Sequence, residues 1–260
     1  MGDVQRVPTA DGIEIAVETD GEGRPLVLVH GITEARALWE PVVGPLAERY
    51  RVIRVDLRGH GESSPATSGA LAELAGDVAA VVAALGLERP ALVGHSLGGA
   101  VVTALAGSIE TGPVVNVDQP LRLAEFQAGL KQLEPMLRGE GFLEALDLMW
   151  QGLGGDRLSA ELQETLRGYH HSARQELVLS IWADVLALSP AELDAMVDEI
   201  LRGVRVPYLS LHGEAPPAGY AEWLTSRVPT AAVEVWPGHT HWPHLVAPGR
   251  FVERVLSFVG

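Results

Sequence analysis

The sequence predicts an α/β fold: a mostly parallel, doubly wound sheet with helices on both faces and one inserted helical lid. Short continuous apolar segments alternate with stretches of helical periodicity along most of the chain, as expected for parallel strands that are buried on both faces. The alternation stops between residues 121 and 203, where helical periodicity continues without a convincing strand. We therefore expect a core of residues 1–120 and 204–260 and a helical lid of residues 121–203.

The predicted elements follow one another in the order strand then helix. Ile13, Ile15 and Val17 alternate as on a half-buried strand, which we expect to begin the sheet in an antiparallel orientation. The remaining predicted strands are residues 25–30, 51–56, 90–93, 113–118, 206–212 and 232–236. The predicted helices of the core are residues 70–85, 97–106, 220–227 and 250–259.

Composition and charge exclude several classes of protein. The 260 residues are 47% hydrophobic and 20% charged, which argues against disorder. No apolar run approaches the roughly 20 residues that a membrane-spanning helix needs. The formal net charge of −15 would repel nucleic acid and anionic membranes. We therefore expect a small-molecule partner, with no nucleic acid and no membrane; no pattern indicates an oligomeric state.

Several absences limit the chemistry. The chain has no cysteine, which excludes disulfides and thiolate sites. Its N-terminus, residues 1–4, lacks a basic segment followed by an apolar one, so we expect a cytoplasmic protein. His170 and His171 are adjacent and diverge on a helix, so we expect solvated surface histidines and no metal. The glycine-rich residues 94–99 lack the lysine of a phosphate loop and the spacing of a dinucleotide fold, so no cofactor is predicted.

The most specific motif is a serine between two glycines, Gly-His-Ser-Leu-Gly at residues 94–98. It directly follows a predicted strand and directly precedes a predicted helix, which is the context of a nucleophile elbow. Glycines on either side allow the strand and the helix to approach without Cβ clashes. We therefore expect Ser96 to stand on a strained turn with its hydroxyl above the sheet. A serine hydroxyl is a poor nucleophile until a base removes its proton, so the elbow predicts a histidine elsewhere in the chain.

Three separated motifs resemble the α/β-hydrolase superfamily. They are the elbow, a His-Gly-Ile sequence at residues 30–32 directly after a strand, and His-Trp-Pro-His-Leu at residues 241–245 between the last strand and the last helix. The resemblance implies that His241 is the base; His239 and His244 remain alternatives. It also implies that the backbone amides of Ile32 and Leu97 form the oxyanion hole, each worth about 3 kcal/mol to the transition state.

Further residues near these motifs have other expected roles. We expect His30 to order the oxyanion loop rather than to transfer protons. The Asp-Leu-Arg-Gly-His-Gly-Glu-Ser sequence at residues 56–63 also matches a family signature and is interpreted as a structural turn, so it supplies no catalytic candidate. The candidate substrate pocket is formed by residues from the core and from the lid: His30, Gly31, Trp150, Trp182 and Trp242.

The acid of the triad departs from the commonest family pattern. Many relatives carry Gly-x-x-Asp after the penultimate strand, whereas this chain has Pro216 at the aspartate position. Asp118 ends the predicted strand 113–118, and some families, including certain haloalkane dehalogenases and zearalenone-type lactonases, carry their acid there. We therefore expect Asp118 to be the acid, with Glu214 as the alternative. A missing acid, with Asp118 as a helix N-cap, stays open.

The predicted function is hydrolysis of a carboxylic ester or lactone through an acyl-enzyme on Ser96. An aspartate at this position would have indicated a dehalogenase or an epoxide hydrolase. Two alternatives remain, since fold does not determine reaction. One is other chemistry on the same residues, such as C–C hydrolysis, perhydrolysis or a lyase reaction. The other is a ligand-binding module with weak turnover.

Overall fold

An eight-stranded sheet forms the centre of the computed structural model, which describes residues 4–260. Residues 1–3, on which the cytoplasmic prediction partly rests, lie outside the described residues, and that location stays a prediction. The spatial order is β1-β2-β4-β3-β5-β6-β7-β8. The strands are β1 (Gln5–Pro8), β2 (Glu14–Asp20), β3 (Arg24–Val29), β4 (Tyr50–Val55), β5 (Ala91–His95), β6 (Val114–Val117), β7 (Tyr208–His212) and β8 (Ala231–Val235).

The pairing of the strands agrees with the predicted fold class. β1 pairs with β2, and β2 with β4, in antiparallel orientation, whereas β4, β3, β5, β6, β7 and β8 run parallel. The mostly parallel sheet with an antiparallel start is therefore confirmed. Every strand predicted from an apolar segment is present, with its ends shifted by a residue or two at most positions.

Helices connect the strands and cover both faces of the sheet. Those of the core are α1 (Glu40–Ala47), α2 (Leu71–Ala84), α3 (Leu97–Ala106), α10 (Tyr220–Arg227), α11 (Pro243–Val246) and α12 (Pro248–Val259). Those between β6 and β7 are α4 (Ala124–Arg138), α5 (Phe142–Gly152), α6 (Ala160–Ser172), α7 (Gln175–Ile181), α8 (Ala183–Ala187) and α9 (Pro190–Gly203). No helix of the described chain is both long enough and apolar enough to cross a membrane.

The strand β3 shows how the sheet separates two hydrophobic layers. Its residues Val27 and Val29 belong to the core shared with α2 and α3, whereas Leu26 and Leu28 belong to the core shared with α1 and α12. All four are fully buried. Successive side chains of a strand point to opposite faces, so a strand covered on both sides is apolar at every position. This is why β3 is recognisable in the sequence as a continuous apolar segment.

Some elements differ from the sequence predictions. β1 and α1 were not predicted: β1 is mostly exposed and contains no apolar run, and α1 carries Pro45 within the helix, a residue that disfavours helix formation. The prediction that the strand around Ile15 is half-buried is wrong, because Ala16 and Glu18 on its other face are also buried. Glu18 is accommodated there by ion pairs with arginines.

The parallel strands end at one edge of the sheet. The segments that leave the carboxyl ends of β3, β5, β6, β7 and β8 therefore lie next to one another. In open α/β sheets this edge is where ligands bind. It carries the predicted candidates from all three motifs.

Candidate active site

Ser96 occupies the tight turn between β5 and α3. Its φ of 50° and ψ of −122° are unusual for a residue other than glycine, and such strain clusters at functional sites. The two flanking glycines are required by space. A Cβ on Gly94 would lie 2.1 Å from the Gly98 carbonyl oxygen, and a Cβ on Gly98 would lie 2.2 Å from the Val29 carbonyl oxygen. The turn leaves Ser96 partly exposed on a cavity at the edge of the sheet.

His241 lines the same cavity from the loop between β8 and α11. Its Nδ1 donates a hydrogen bond to Asp118 Oδ2 at 2.5 Å. The other carboxylate oxygen, Oδ1, accepts a hydrogen bond of 2.8 Å from the Gly213 amide. Because a carboxylate only accepts, this pairing assigns the Nδ1 proton of His241 and leaves Nε2 to act as a base.

Asp118 directly follows β6 and adopts a φ of 54°. Burial alone would raise the pKa of its carboxyl group, but the hydrogen bond from His241 and the charge attraction of the His241 and His212 rings outweigh burial and hold that pKa well below its usual range. The carboxylate is therefore ionised at neutral pH and can stabilise a positive charge on His241.

The alternative acid and the alternative bases lie elsewhere. The Glu214 carboxylate is about half exposed and pairs with Arg157 at 2.7 Å. His239 Nδ1 donates to the Trp236 carbonyl at 3.0 Å. His244 is fully buried, with its ring centroid 4.6 Å from that of Trp39. None of these three side chains lines the described cavity beside Ser96.

Ile32 lines the cavity from the segment after β3, and Leu97 directly follows Ser96 in the chain. Leu97 is the first residue of α3, so its amide has no acceptor within the helix. Within residues 4–260, neither amide donates to another backbone or side-chain oxygen. The Gly31 amide, in contrast, is bound to Glu34 Oε2 at 2.7 Å. Neither of these two backbone donors therefore has an acceptor within the described residues.

The cavity beside Ser96 has a volume of about 50 Å³. Three of the predicted pocket residues line it, namely Trp150, Trp182 and Trp242. The prediction is wrong for His30 and Gly31, which do not line it. The buried His30 ring donates to the Gly31 carbonyl oxygen at 2.7 Å and accepts from the Leu57 amide at 3.0 Å.

Comparisons with known proteins place this geometry in a family. The model of the α/β hydrolase fold family matches residues 24–114. A non-heme haloperoxidase of Rhodococcus erythropolis is 31% identical over 97% of this chain and 98% of its own length. This chain belongs to the α/β hydrolase family.

Other relatives of this α/β hydrolase are named as esterases. A pimeloyl-[acyl-carrier protein] methyl ester esterase of Nitrosomonas europaea is 28% identical over 92% of this chain and 96% of its own. The crystal structure of an esterase from Rhodococcus sp. ECU1013 superposes with a TM-score of 0.74 at 28% identity, covering 98% of both chains. The chain is therefore an enzyme of the hydrolase class.

Three polar residues of the hydrolase site were missed by the sequence analysis. Glu34 and His170 line the cavity, and His95 directly precedes Ser96 in the chain. The expectation that His170 is a solvated surface residue is wrong, because it is 8% exposed and packs edge-on against Trp150. The sequence carries no local signal for Glu34 or His95, because their side chains contact residues that lie 61 to 208 positions away.

Charge and burial set the protonation of these three side chains. Burial lowers the pKa of His170, which favours a neutral ring facing the cavity. Burial would raise the pKa of Glu34, but the positive charge and hydrogen bond of His95 hold it far below its usual range. Burial would lower the pKa of His95, and Glu34 outweighs that effect and raises it. Glu34 and His95 thus form a buried ion pair beneath the cavity.

Proposed function

We propose that this α/β hydrolase cleaves a carboxylic ester or a lactone through an acyl-enzyme on Ser96. The observation that carries the proposal is the hydrogen bond of 2.5 Å between His241 Nδ1 and Asp118 Oδ2, at a cavity lined by both His241 and Ser96. A serine, a histidine and a buried carboxylate in this arrangement are the parts that nucleophilic acyl transfer needs.

Each group has a defined part in the reaction. Ser96 Oγ attacks the carbonyl carbon while His241 Nε2 takes the hydroxyl proton, and the Asp118 carboxylate stabilises the imidazolium that forms. The amides of Ile32 and Leu97 stabilise the negative oxygen of the tetrahedral intermediate. His241 then gives its proton to the departing alcohol. Water then attacks the acyl carbon with His241 again as base, and His241 returns this proton to Ser96 Oγ as the bond to Ser96 breaks and the carboxylic acid leaves.

We further propose that residues 121–203 act as a lid over the core of residues 1–120 and 204–260. Support comes from α5 and α6, whose residues Met149, Trp150 and His170 line the cavity opposite the core. The cavity of about 50 Å³ is small, which favours a short acyl group. Its lining is mainly apolar and contains the negative Glu34, which favours an uncharged acyl group. A charged acid group would be desolvated there without a cationic partner.

Turnover of short p-nitrophenyl esters and of small lactones tests the proposal. We expect Ser96→Ala to lower kcat by about 10⁴-fold or more, because no other nucleophile is activated at this place. A fluorophosphonate should add covalently to Ser96 of the wild type, as detected by mass spectrometry. If wild type and Ser96→Ala were equally inactive while both bound the ester, the ligand-binding alternative would replace the hydrolase.

The haloperoxidase name of one relative favours perhydrolysis as the second candidate. Hydrogen peroxide would then replace water in the attack on the acyl-enzyme, releasing a peracid and free Ser96. Adding hydrogen peroxide to the ester assay separates the two reactions, since only perhydrolysis yields a product that oxidises halide.

A further inference from the structure

We infer that Glu34 is a positioning residue that joins the oxyanion loop, the nucleophile turn and the base loop, and so holds His241 where it can serve Ser96. The inference rests on the proposed function, since the role of Glu34 is exercised through the proposed base.

Three donors from three segments of the chain converge on the Glu34 carboxylate, which is 4% exposed. Oε2 accepts from the Gly31 amide at 2.7 Å and from His95 Nδ1 at 2.9 Å, and Oε1 accepts from Trp242 Nε1 at 2.8 Å. Gly31 precedes the oxyanion residue Ile32, His95 precedes the nucleophile, and Trp242 follows the base. One side chain therefore contacts a direct neighbour of the nucleophile, of the base and of one oxyanion residue.

His95 extends this link to the base itself. Its Nε2 donates to the main-chain carbonyl oxygen of His241 at 2.8 Å, and the two rings lie 4.6 Å apart. The His95 ring thus bridges a carboxylate and a carbonyl, both of which only accept, so both of its nitrogens must donate. Asp118 orients the imidazole of His241, whereas Glu34 acts through His95 and Trp242 on the backbone of His241. Neither carboxylate can replace the other.

Glutamine cannot reproduce the contacts of Glu34. The side-chain amide has one accepting oxygen and one donating nitrogen, whereas the carboxylate accepts at both oxygens. If the glutamine oxygen accepted the hydrogen bond from Gly31, the amide nitrogen would face the N–H of Trp242. If the oxygen accepted from Trp242, the nitrogen would face the N–H of Gly31. A tautomer change of His95 relieves neither clash. Each arrangement therefore displaces the segment that carries either Gly31 or Trp242.

The primary test compares Glu34→Gln with Asp77→Asn as a matched control. Asp77 is also a buried carboxylate, 2% exposed and paired with Arg58 at 2.6 Å, and it lies outside the catalytic cavity. We expect Glu34→Gln to lower kcat for a short p-nitrophenyl ester by about 100-fold, as small misplacements of catalytic groups do, with KM changed less than about threefold. Asp77→Asn should lower Tm and leave kcat within about twofold.

A second pair of variants tests whether the residues act as one unit. His95→Phe removes both ring hydrogen bonds at similar volume, and we expect its kcat loss to resemble that of Glu34→Gln. The double variant should be no slower than the slower single variant, because both break the same link. Should Glu34→Gln not fold, Trp242→Phe, which removes one donor to Glu34, is expected to lower kcat about tenfold at near-constant KM.

Three results would overturn the inference: a folded Glu34→Gln enzyme with kcat within about threefold of wild type, an equal kcat loss in Asp77→Asn, or losses that multiply in the double variant. Failure of the proposed function is recognised separately, by absent ester turnover in the wild type. In that event the rate at which a fluorophosphonate labels Ser96 replaces turnover, and Glu34→Gln should still slow it by about the same 100-fold.

Discussion

His241 and His95 lie side by side, yet their hydrogen-bond partners give them different roles. Nδ1 of His241 faces a carboxylate and its other nitrogen is left for proton transfer. Both nitrogens of His95 face acceptors, so its ring is held as a cation. His30 and His60 show a third arrangement, in which one nitrogen donates to a carbonyl and the other accepts from an amide, so their rings are neutral.

The role of Asp118 is tested by Asp118→Asn. An asparagine amide nitrogen facing His241 would favour the tautomer that carries its proton on Nε2, which cannot act as a base. We expect kcat to fall by about 10⁴-fold, measured with a short p-nitrophenyl ester, in a variant that thermal unfolding shows to be folded at the assay temperature. The matched control is Glu214→Gln, in the exposed pair with Arg157, which should retain wild-type kcat. A wild-type kcat in Asp118→Asn together with a large loss of kcat in Glu214→Gln would show that Glu214 is the acid.

The sequence was informative for side chains whose role follows from nearby residues. Ser96 could be singled out because its glycines and its flanking strand and helix are adjacent in the chain. Glu34 and His95 could not, since the partners that define them are distant: Glu34 bonds with His95 and Trp242 across 61 and 208 positions, and His95 reaches His241 across 146. Such contacts exist only once the sheet has brought the loops to one edge.

The elbow is an element whose geometry depends on a close approach between α3 and β3. We expect Gly98→Ala to destabilise the protein by about 1–3 kcal/mol or more, because its Cβ would meet two backbone carbonyl oxygens that cannot move alone. Activity should fall with it, since α3 carries the Leu97 amide. Chemical denaturation gives the free energy of unfolding, and kcat is measured on the folded fraction.

Gly76→Ala is the matched control for this substitution. Gly76 lies in α2, is exposed, and has open space where a Cβ would be. Alanine there should stabilise the helix by about 0.5–1 kcal/mol. A Gly98→Ala protein as stable and active as Gly76→Ala would show that the turn tolerates a side chain.

Among elements, those buried on both faces were the most predictable. β3 and β5 each contain a continuous apolar run, residues 25–29 and 91–93, because both faces are covered. α1 was missed although Val42, Val43 and Leu46 are buried against the sheet, because Pro45 interrupts the pattern locally and only tertiary packing compensates for it. Sequence periodicity therefore predicts buried strands well. It predicts poorly an element that is stabilised mainly by packing against its neighbours.

At the scale of the whole molecule, the protonation of buried histidines makes the free energy of unfolding depend on pH. Burial lowers the pKa of His60 to about 4, and it also lowers the pKa of His30 and His244. The pKa of a histidine in the unfolded chain is near 6.5. Below that pH the unfolded chain therefore binds protons at these histidines, whereas the folded rings stay neutral. Stability should therefore fall as the pH drops from 6.5 towards 4. Below about 4 the lowered pKa values of Glu34 and Asp118 continue the loss.

Two effects oppose this loss. The raised pKa of His95 adds stability that is complete below about 6.5 and is lost as the pH rises through its folded pKa. The net charge of −15 also falls towards zero near the isoelectric point of 5.0, which relieves self-repulsion. The pH dependence of the wild type alone is therefore a sum of opposing terms, and a single-residue comparison is needed to separate them.

His60→Gln isolates one of these terms. The ring of His60 donates to the Arg58 carbonyl and accepts from the Thr33 amide at 3.3 Å, and protonation would break the second bond. With a folded pKa of about 4, His60 should account for about 2 kcal/mol of the stability lost between pH 7 and pH 5. Urea denaturation at both pH values measures it: the wild type should lose about 2 kcal/mol more than His60→Gln. Equal losses in the two proteins would mean that the buried ring takes up its proton as readily as an exposed one.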